Sequence, residues 1–198
     1  MISSIVLAAG QSTRMGGNPK ALLDWGGEPL VCYQVRQLLE AGVDEVVVVL
    51  GYRADEVRRK LYGLKCRVMV NPRYIAGRAG SLRIGAKAVN RDADTIVVLN
   101  VDQPRPASLI RELLEKHDPE KAATRPALAG EHGHPVVVSG RLRAEMMEAT
   151  DEEQGLRGVL EKHEAEIADI PVSDATATID VNTEEDYVSA RASFGLPS

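Results

Sequence analysis

The opening stretch, MISSIVLAAGQSTRMGGNPK, constrains the fold more than any other part of the chain. Residues 5–7 read as an apolar strand that ends in the small residues Ala8, Ala9 and Gly10. A polar, glycine-rich loop follows, with Arg14 in its middle and Lys20 at its end. Glycine lets backbone amides approach an anion, and successive amides form an anion nest. Two fixed cations add charge suited to phosphate oxygens. Such a loop at the end of a buried strand can hold a polyphosphate. It is not a Walker loop, because Lys20 lies between Pro19 and Ala21 instead of leading a Ser or Thr into a helix. Nor is it a dinucleotide fingerprint, because Gly10, Gly16 and Gly17 lack the G-x-G-x-x-G spacing.

The remaining pattern supplies a scaffold for that loop. Helical spacing over 29–41 is followed by the run EVVVVL at 45–50, a helix over 54–62 and a strand over 66–70. A helix over 81–89, a strand over 95–99 and a helix over 106–117 come next. Strands that are apolar throughout and alternate with helices predict a parallel sheet covered on both faces. Ligands of such sheets bind beyond the carboxyl ends of the strands, so the segments after Leu7, Val70 and Leu99 are expected to converge. The second half is less regular. Short strands at 122–127 and 135–138, helices at 140–149 and 154–163, a strand at 167–172 and a helix at 184–191 are expected. Thr183 should cap that last helix in a box with Asp186. No linker or repeat interrupts 198 residues, so one domain is expected, with 120–175 as a lobe over the sheet.

Composition narrows the partners. A net charge of −5 with interspersed signs, and 4% aromatic residues, argue against nucleic acid. No apolar run reaches membrane-spanning length, and the start does not read as a signal peptide. Cys32 and Cys66 lie in apolar surroundings outside any C-x-x-C pair, which suggests buried thiols and a cytoplasmic location. His117 and His163 close helices and are expected to serve the helix dipoles. His132 and His134 lack the Cys or carboxylate partners of a zinc site.

Several residues point to chemistry. Asp102 follows a buried strand, where a carboxylate can bind Mg²⁺ or simply cap a turn. Asp180 and Asn182 alternate on one side of an extended segment, so either can face a metal. Ser81 can cap a helix.

LAAGQSTRMGGNPKALL resembles the signature of the MobA-like NTP transferase family, L-A-[AG]-G-x-[SG]-x-R-[ML]-G-x-x-K. Further similarities lie in NVDQP at 100–104, in Gly77 to Gly85, in Gly133-His134-Pro135 and in TIDVNTEED at 178–186. Val101 stands where the family more often has Gly, and Glu184 where it usually has Pro. The resemblance implies a Rossmann-like three-layer sandwich of the nucleotide-diphospho-sugar transferase kind. It implies nucleotide binding by Leu7, Ala8, Ala9, Gly10, Ser12, Arg14, Lys20, Gly80 and Ser81. Arg14, Lys20 and Asp102 would carry catalysis. Asp102 with Asp180 or Asn182 would bind Mg²⁺, and Gln103 and His134 would meet the acceptor. An acceptor phosphate would attack the α-phosphorus of an NTP in line and release pyrophosphate, with no general base. LAAG, Pro19-Lys20 and the GHP element resemble the molybdenum cofactor cytidylyltransferase branch, which implies CTP, a molybdopterin-type acceptor, and a molybdoenzyme or chaperone that receives the product. The alternatives are transfer from GTP or onto a sugar or alditol phosphate, and a heterocycle-binding protein or NAD(P)H oxidoreductase on the same fold.

Overall fold

The computed structural model describes residues 1–12 and 16–197. Its centre is the expected parallel sheet. β1 (Ile2–Ala8) pairs in parallel with β2 (Glu45–Leu50) on one side and with β4 (Thr95–Asn100) on the other. β3 (Arg67–Val70) adds in parallel beyond β2. Register fixes which side chains share a face. Ile5, Val47, Val49, Ile96 and Val98 pack on one side under α3 (Ala79–Ala88). Val6, Val46, Val48, Leu50 and Val97 pack on the other side, under α1 (Leu30–Glu40), α2 (Ala54–Lys60) and α4 (Ala107–Lys116). Both faces are therefore apolar, and this is why residues 45–50 read as an unbroken run rather than an alternating strand. The result is an α/β three-layer sandwich.

The segment 120–175 extends the sheet instead of standing over it. β5 (Ala123–Leu128), β7 (Val136–Ser139) and β8 (Ile167–Pro171) continue the strand order beyond β4. β7 runs antiparallel to β4, with Val97 opposite Val137. Ala122, Ala123, Val136 and Val138 are buried and would be stranded in a separate lobe, so burial decides for one sheet. α5 (Arg143–Glu148) and α6 (Leu156–Glu161) cover the same face as α3 through Met146, Val159 and Leu160. The stretch expected to be a plain connection contains β6 (Glu131–His132), a short antiparallel partner of β5.

α7 (Glu184–Ser193) begins with the expected capping box. Thr183 Oγ1 accepts from the Asp186 amide at 3.1 Å, and Asp186 Oδ2 accepts from the Thr183 amide at 2.8 Å. The helix closes a small cluster in which the Phe194 ring meets Trp25 edge-on at 5.0 Å, over buried Leu30 and Val181.

The two histidines assigned to helix dipoles do other work. His117 Nδ1 lies 2.8 Å from Thr124 Oγ1, and burial lowers its pKa, which disfavours the cation a dipole would want. His163 Nε2 lies 2.9 Å from Glu145, which links α6 to α5. Cys32 is buried, but Cys66 is only half-buried, and both thiols are free. Among the described residues, no helix is long and apolar enough to cross a membrane.

Candidate active site

Chain order leaves a crevice where the connections of β1 and β4 part. β1 leads to α1 on one face, and α3 leads into β4 from the other. A cavity of about 430 Å³ opens there, beyond the carboxyl ends of both strands. The three segments expected to converge all reach it: Leu7 to Ser12 from β1, Tyr74 to Ser81 after β3, and Asn100 to Gln103 after β4. A fourth, carrying Asp180 and Asn182, arrives from the end of the chain. Val181, between them, is fully buried in the Trp25 cluster. The alternation that turns Val181 inward turns Asp180 and Asn182 to the cavity.

Lys20 is the hub. Its side chain is only 12% exposed, and Nζ donates to Asp102 Oδ2 at 2.8 Å and to Asn182 Oδ1 at 2.9 Å. Its backbone amide donates to Ser12 Oγ at 2.9 Å, which ties the two ends of the glycine-rich loop together. Ser12 holds a positive φ of 53°, a conformation costly for a non-glycine residue and a frequent mark of ligand-binding loops. Leu7, Ala8, Ala9 and Gly10 line the cavity as expected. Arg14 lies outside the described residues.

The donor set suits a hard divalent cation. Asp102, Asp180 and Asn182 offer only oxygen on the cavity wall, and the Lys20 ammonium between Asp102 and Asn182 shows that positive charge is accommodated there. Burial raises the pKa of Asp180, and the neighbouring Asp102 charge adds to the effect. A bound cation would reverse that repulsion.

The turn before α3 differs in detail from the sequence reading. Ser81 does line the cavity, but it does not cap the helix. The carboxylate of Asp151, just beyond α5, does so, accepting from the amides of Arg78 at 2.6 Å and Ala79 at 2.9 Å. Gly80 does not line the cavity. A Cβ there would stand 3.3 Å from Asn71 Nδ2, so the glycine makes room for Asn71 rather than for a ligand. Buried Asn71 donates to Ser81 Oγ at 3.0 Å and fixes that hydroxyl at the cavity wall. Arg83 donates to the Ala149 carbonyl at 2.6 Å.

A second cavity, of about 1,030 Å³, adjoins the first and shares Leu7, Arg78, Asn100, Gln103 and Asp180 with it. Its walls include apolar Leu82, Val98, Val136, Leu156 and Leu160. His134 faces it, with a pKa pushed down to about 4, first by burial and then by the Arg105 charge, so the ring is neutral at physiological pH. Gln103 is buried at the junction, and its Oε1 accepts from Asn100 Nδ2 at 3.0 Å. Asn71, Arg78, Arg105 and Asp151 were not marked as site residues by sequence reasoning. Only Asn71, directly after an apolar strand, carried a positional signal.

The fold is of the nucleotide-diphospho-sugar transferase kind, and the family follows from comparison. Residues 4–167 match the MobA-like NTP transferase domain, and the chain belongs to that family. Nicotine blue oxidoreductase of Paenarthrobacter nicotinovorans is 30% identical over 191 residues, covering 93% of each chain. The bifunctional protein GlmU of Syntrophomonas wolfei is 32% identical over 130 residues, 65% of this chain but only 28% of that protein. The crystal structure of Rv0371c from Mycobacterium tuberculosis superposes with a TM-score of 0.82 at 27% identity, covering 95% of this chain and 96% of the other. The same protein has been solved in complex with manganese, with a TM-score of 0.76 at 26% identity and coverage of 96% and 97%.

Proposed function

We propose that this protein transfers a nucleoside monophosphate, CMP from CTP, onto the phosphate of a molybdopterin-type acceptor and releases pyrophosphate. The observation that carries the reading is the joining of two cavities at Gln103 and Asp180. One is walled by the glycine-rich loop, Lys20 and Asp102, and the other mixes apolar Leu82, Val98, Val136, Leu156 and Leu160 with His134 and charged Arg125, Arg157 and Glu161. A nucleoside triphosphate fits the first by charge. A flat, phosphorylated heterocycle fits the second.

The residues then divide the work. The 8–12 backbone and Arg14 bind the β and γ phosphates, and Ser81 meets the base or ribose. Asp102, with Asp180 or Asn182, would hold Mg²⁺, which when bound neutralises charge on the phosphate oxygens. Lys20, released from its carboxylate and amide partners, reaches the α-phosphate or the incoming phosphate. Gln103 and neutral His134 hold the acceptor at the junction, with 120–175 supplying the acceptor side. The acceptor oxygen is already anionic, so placement and charge stabilisation supply the rate. We place the activity in the cytoplasm, with a molybdoenzyme or its chaperone receiving the product.

The similarity to nicotine blue oxidoreductase over nearly the whole chain supports a second reading, in which the second cavity takes a heterocycle for reduction by NAD(P)H. One assay separates the two. Pyrophosphate release is measured with each NTP, Mg²⁺ or Mn²⁺, and molybdopterin, beside NAD(P)H absorbance with a quinonoid heterocycle. CTP-dependent pyrophosphate supports the proposal, and GTP dependence reassigns the base. NAD(P)H consumption without NTP turnover replaces the proposal with the second reading.

A further inference from the structure

Arg105 lies between two prolines just before α4, where the sequence suggests only a turn. Its side chain is 0% exposed. The guanidinium binds main-chain carbonyls from three separate parts of the chain. Nε donates to His134 O at 2.8 Å, and Nη1 donates to Pro104 O at 2.8 Å and to Ile179 O at 2.7 Å. Among the described residues Nη2 is buried with no hydrogen-bond partner, and it lies 3.8 Å from Asp180 Oδ1. Neither cavity is lined by Arg105, yet it stands directly behind residues that line both.

A structural filler would not need this charge. Replacing a buried ionic group by an apolar residue of similar volume is often neutral or stabilising. The charge survives burial, because the pKa falls only to about 10. The fork geometry of guanidinium, with donors on fixed vectors, suits simultaneous contacts that an ammonium cannot reproduce. All its strong contacts end on segments that carry site residues: the 100–104 loop, the GHP turn and the 178–183 segment.

We propose that Arg105 is a positioning residue that sets Asp180 and the His134 main chain against each other across the junction of the two cavities. It touches no substrate. Its charge holds the Asp180 carboxylate, and its hydrogen bonds hold the backbone on either side. The inference rests on the nucleotidyltransferase reading for its consequence, but the contact between Arg105 and Asp180 can be tested without that reading.

The test uses the full chain with Arg105→Met, Arg105→Lys, Asp180→Asn and the double variant Arg105→Met/Asp180→Asn. Mn²⁺ affinity is read by electron paramagnetic resonance, and urea midpoints are read without metal. Arg105→Met should weaken Mn²⁺ binding by roughly tenfold to a hundredfold, as loss of an outer partner of a metal ligand does. The double variant should bind no more weakly than Asp180→Asn alone, and the urea shifts should fail to add. Arg105→Lys, which keeps the charge and loses the fork, should recover part of the affinity and fold where Arg105→Met does not. In turnover, kcat should fall while KM for the NTP holds. Unchanged Mn²⁺ affinity in either folded Arg105 variant, or additive urea shifts, would overturn the proposal. Non-additive urea shifts in a protein that binds neither Mn²⁺ nor NTP would sustain the Arg105–Asp180 contact and sink the transferase reading.

Discussion

At the scale of single residues, the site turns on a cation held between a carboxylate and an amide. Lys20 holds Asp102 and Asn182 at hydrogen-bond distance, so substitution at either end rearranges charge rather than simply deleting it. Asp102→Ala should reduce pyrophosphate release below detection while the urea stability changes by about 1 kcal/mol or less, since a partly exposed ion pair contributes little. Full activity in that variant would remove Asp102 from the metal site. Lys20→Ala should lower kcat by roughly a hundredfold to a thousandfold with a smaller change in NTP affinity. The reverse pattern, lost affinity with normal kcat, would make Lys20 a ground-state anchor. The cavity-lining residues of the opening loop and Asp102, Asp180 and Asn182 were legible because each sits in a motif where backbone and chemistry coincide. Arg105 and Asp151 were not, because their partners lie far along the chain. Asp151 reaches across 72 residues to Ala79, and nothing in the local spacing announces it.

Elements were readable in proportion to their periodicity. α1 and α4 show helical spacing, and β2 and β4 are doubly buried runs, so their patterns leave little choice. β6 is two exposed residues held by a hairpin, with no hydrophobic pattern to betray it. The GHP turn beside it makes its own demand. Gly133 donates to Pro126 O at 2.8 Å, and a Cβ on it would stand 2.2 Å from the Ala177 carbonyl oxygen. Backbone cannot yield as a side-chain tip can. Gly133→Ala should therefore push the turn off the 175–178 segment, costing about 1–3 kcal/mol in urea denaturation and raising KM for the acceptor more than for the NTP. Equal stability and unchanged KM would show that the turn is not held there. At the start of α3, Asp151→Ala should cost about 1 kcal/mol, the usual loss for a helix cap, because it frees two amides at once. A shift below a few tenths of that would mean water replaces the carboxylate without penalty.

Across the whole molecule, acid stability should carry the signature of the half-buried His134. The folded state holds its pKa near 4, against 6.5 for a free histidine, so the unfolded chain takes up the proton first. Its contribution is complete above pH 6.5 and is lost as pH falls toward 4. The loss should be on the order of 2–3 kcal/mol, less where water reaches the ring. His134→Gln should flatten the urea stability between those limits. A variant with the full acid decline would place the effect on another group, such as the half-buried His117. The sheet order past β4 was the least legible global feature, because short antiparallel strands leave their pairing to burial rather than to pattern. The site itself spans the chain: Lys20 is bonded to Asp102 across 82 positions and to Asn182 across 162. A ribosome therefore releases the sheet, the glycine-rich loop and Asp102 well before the segment that completes their cavity. Chains halted before Asp180 would lack one wall of that cavity, which closes only when Val181 and α7 pack with Trp25.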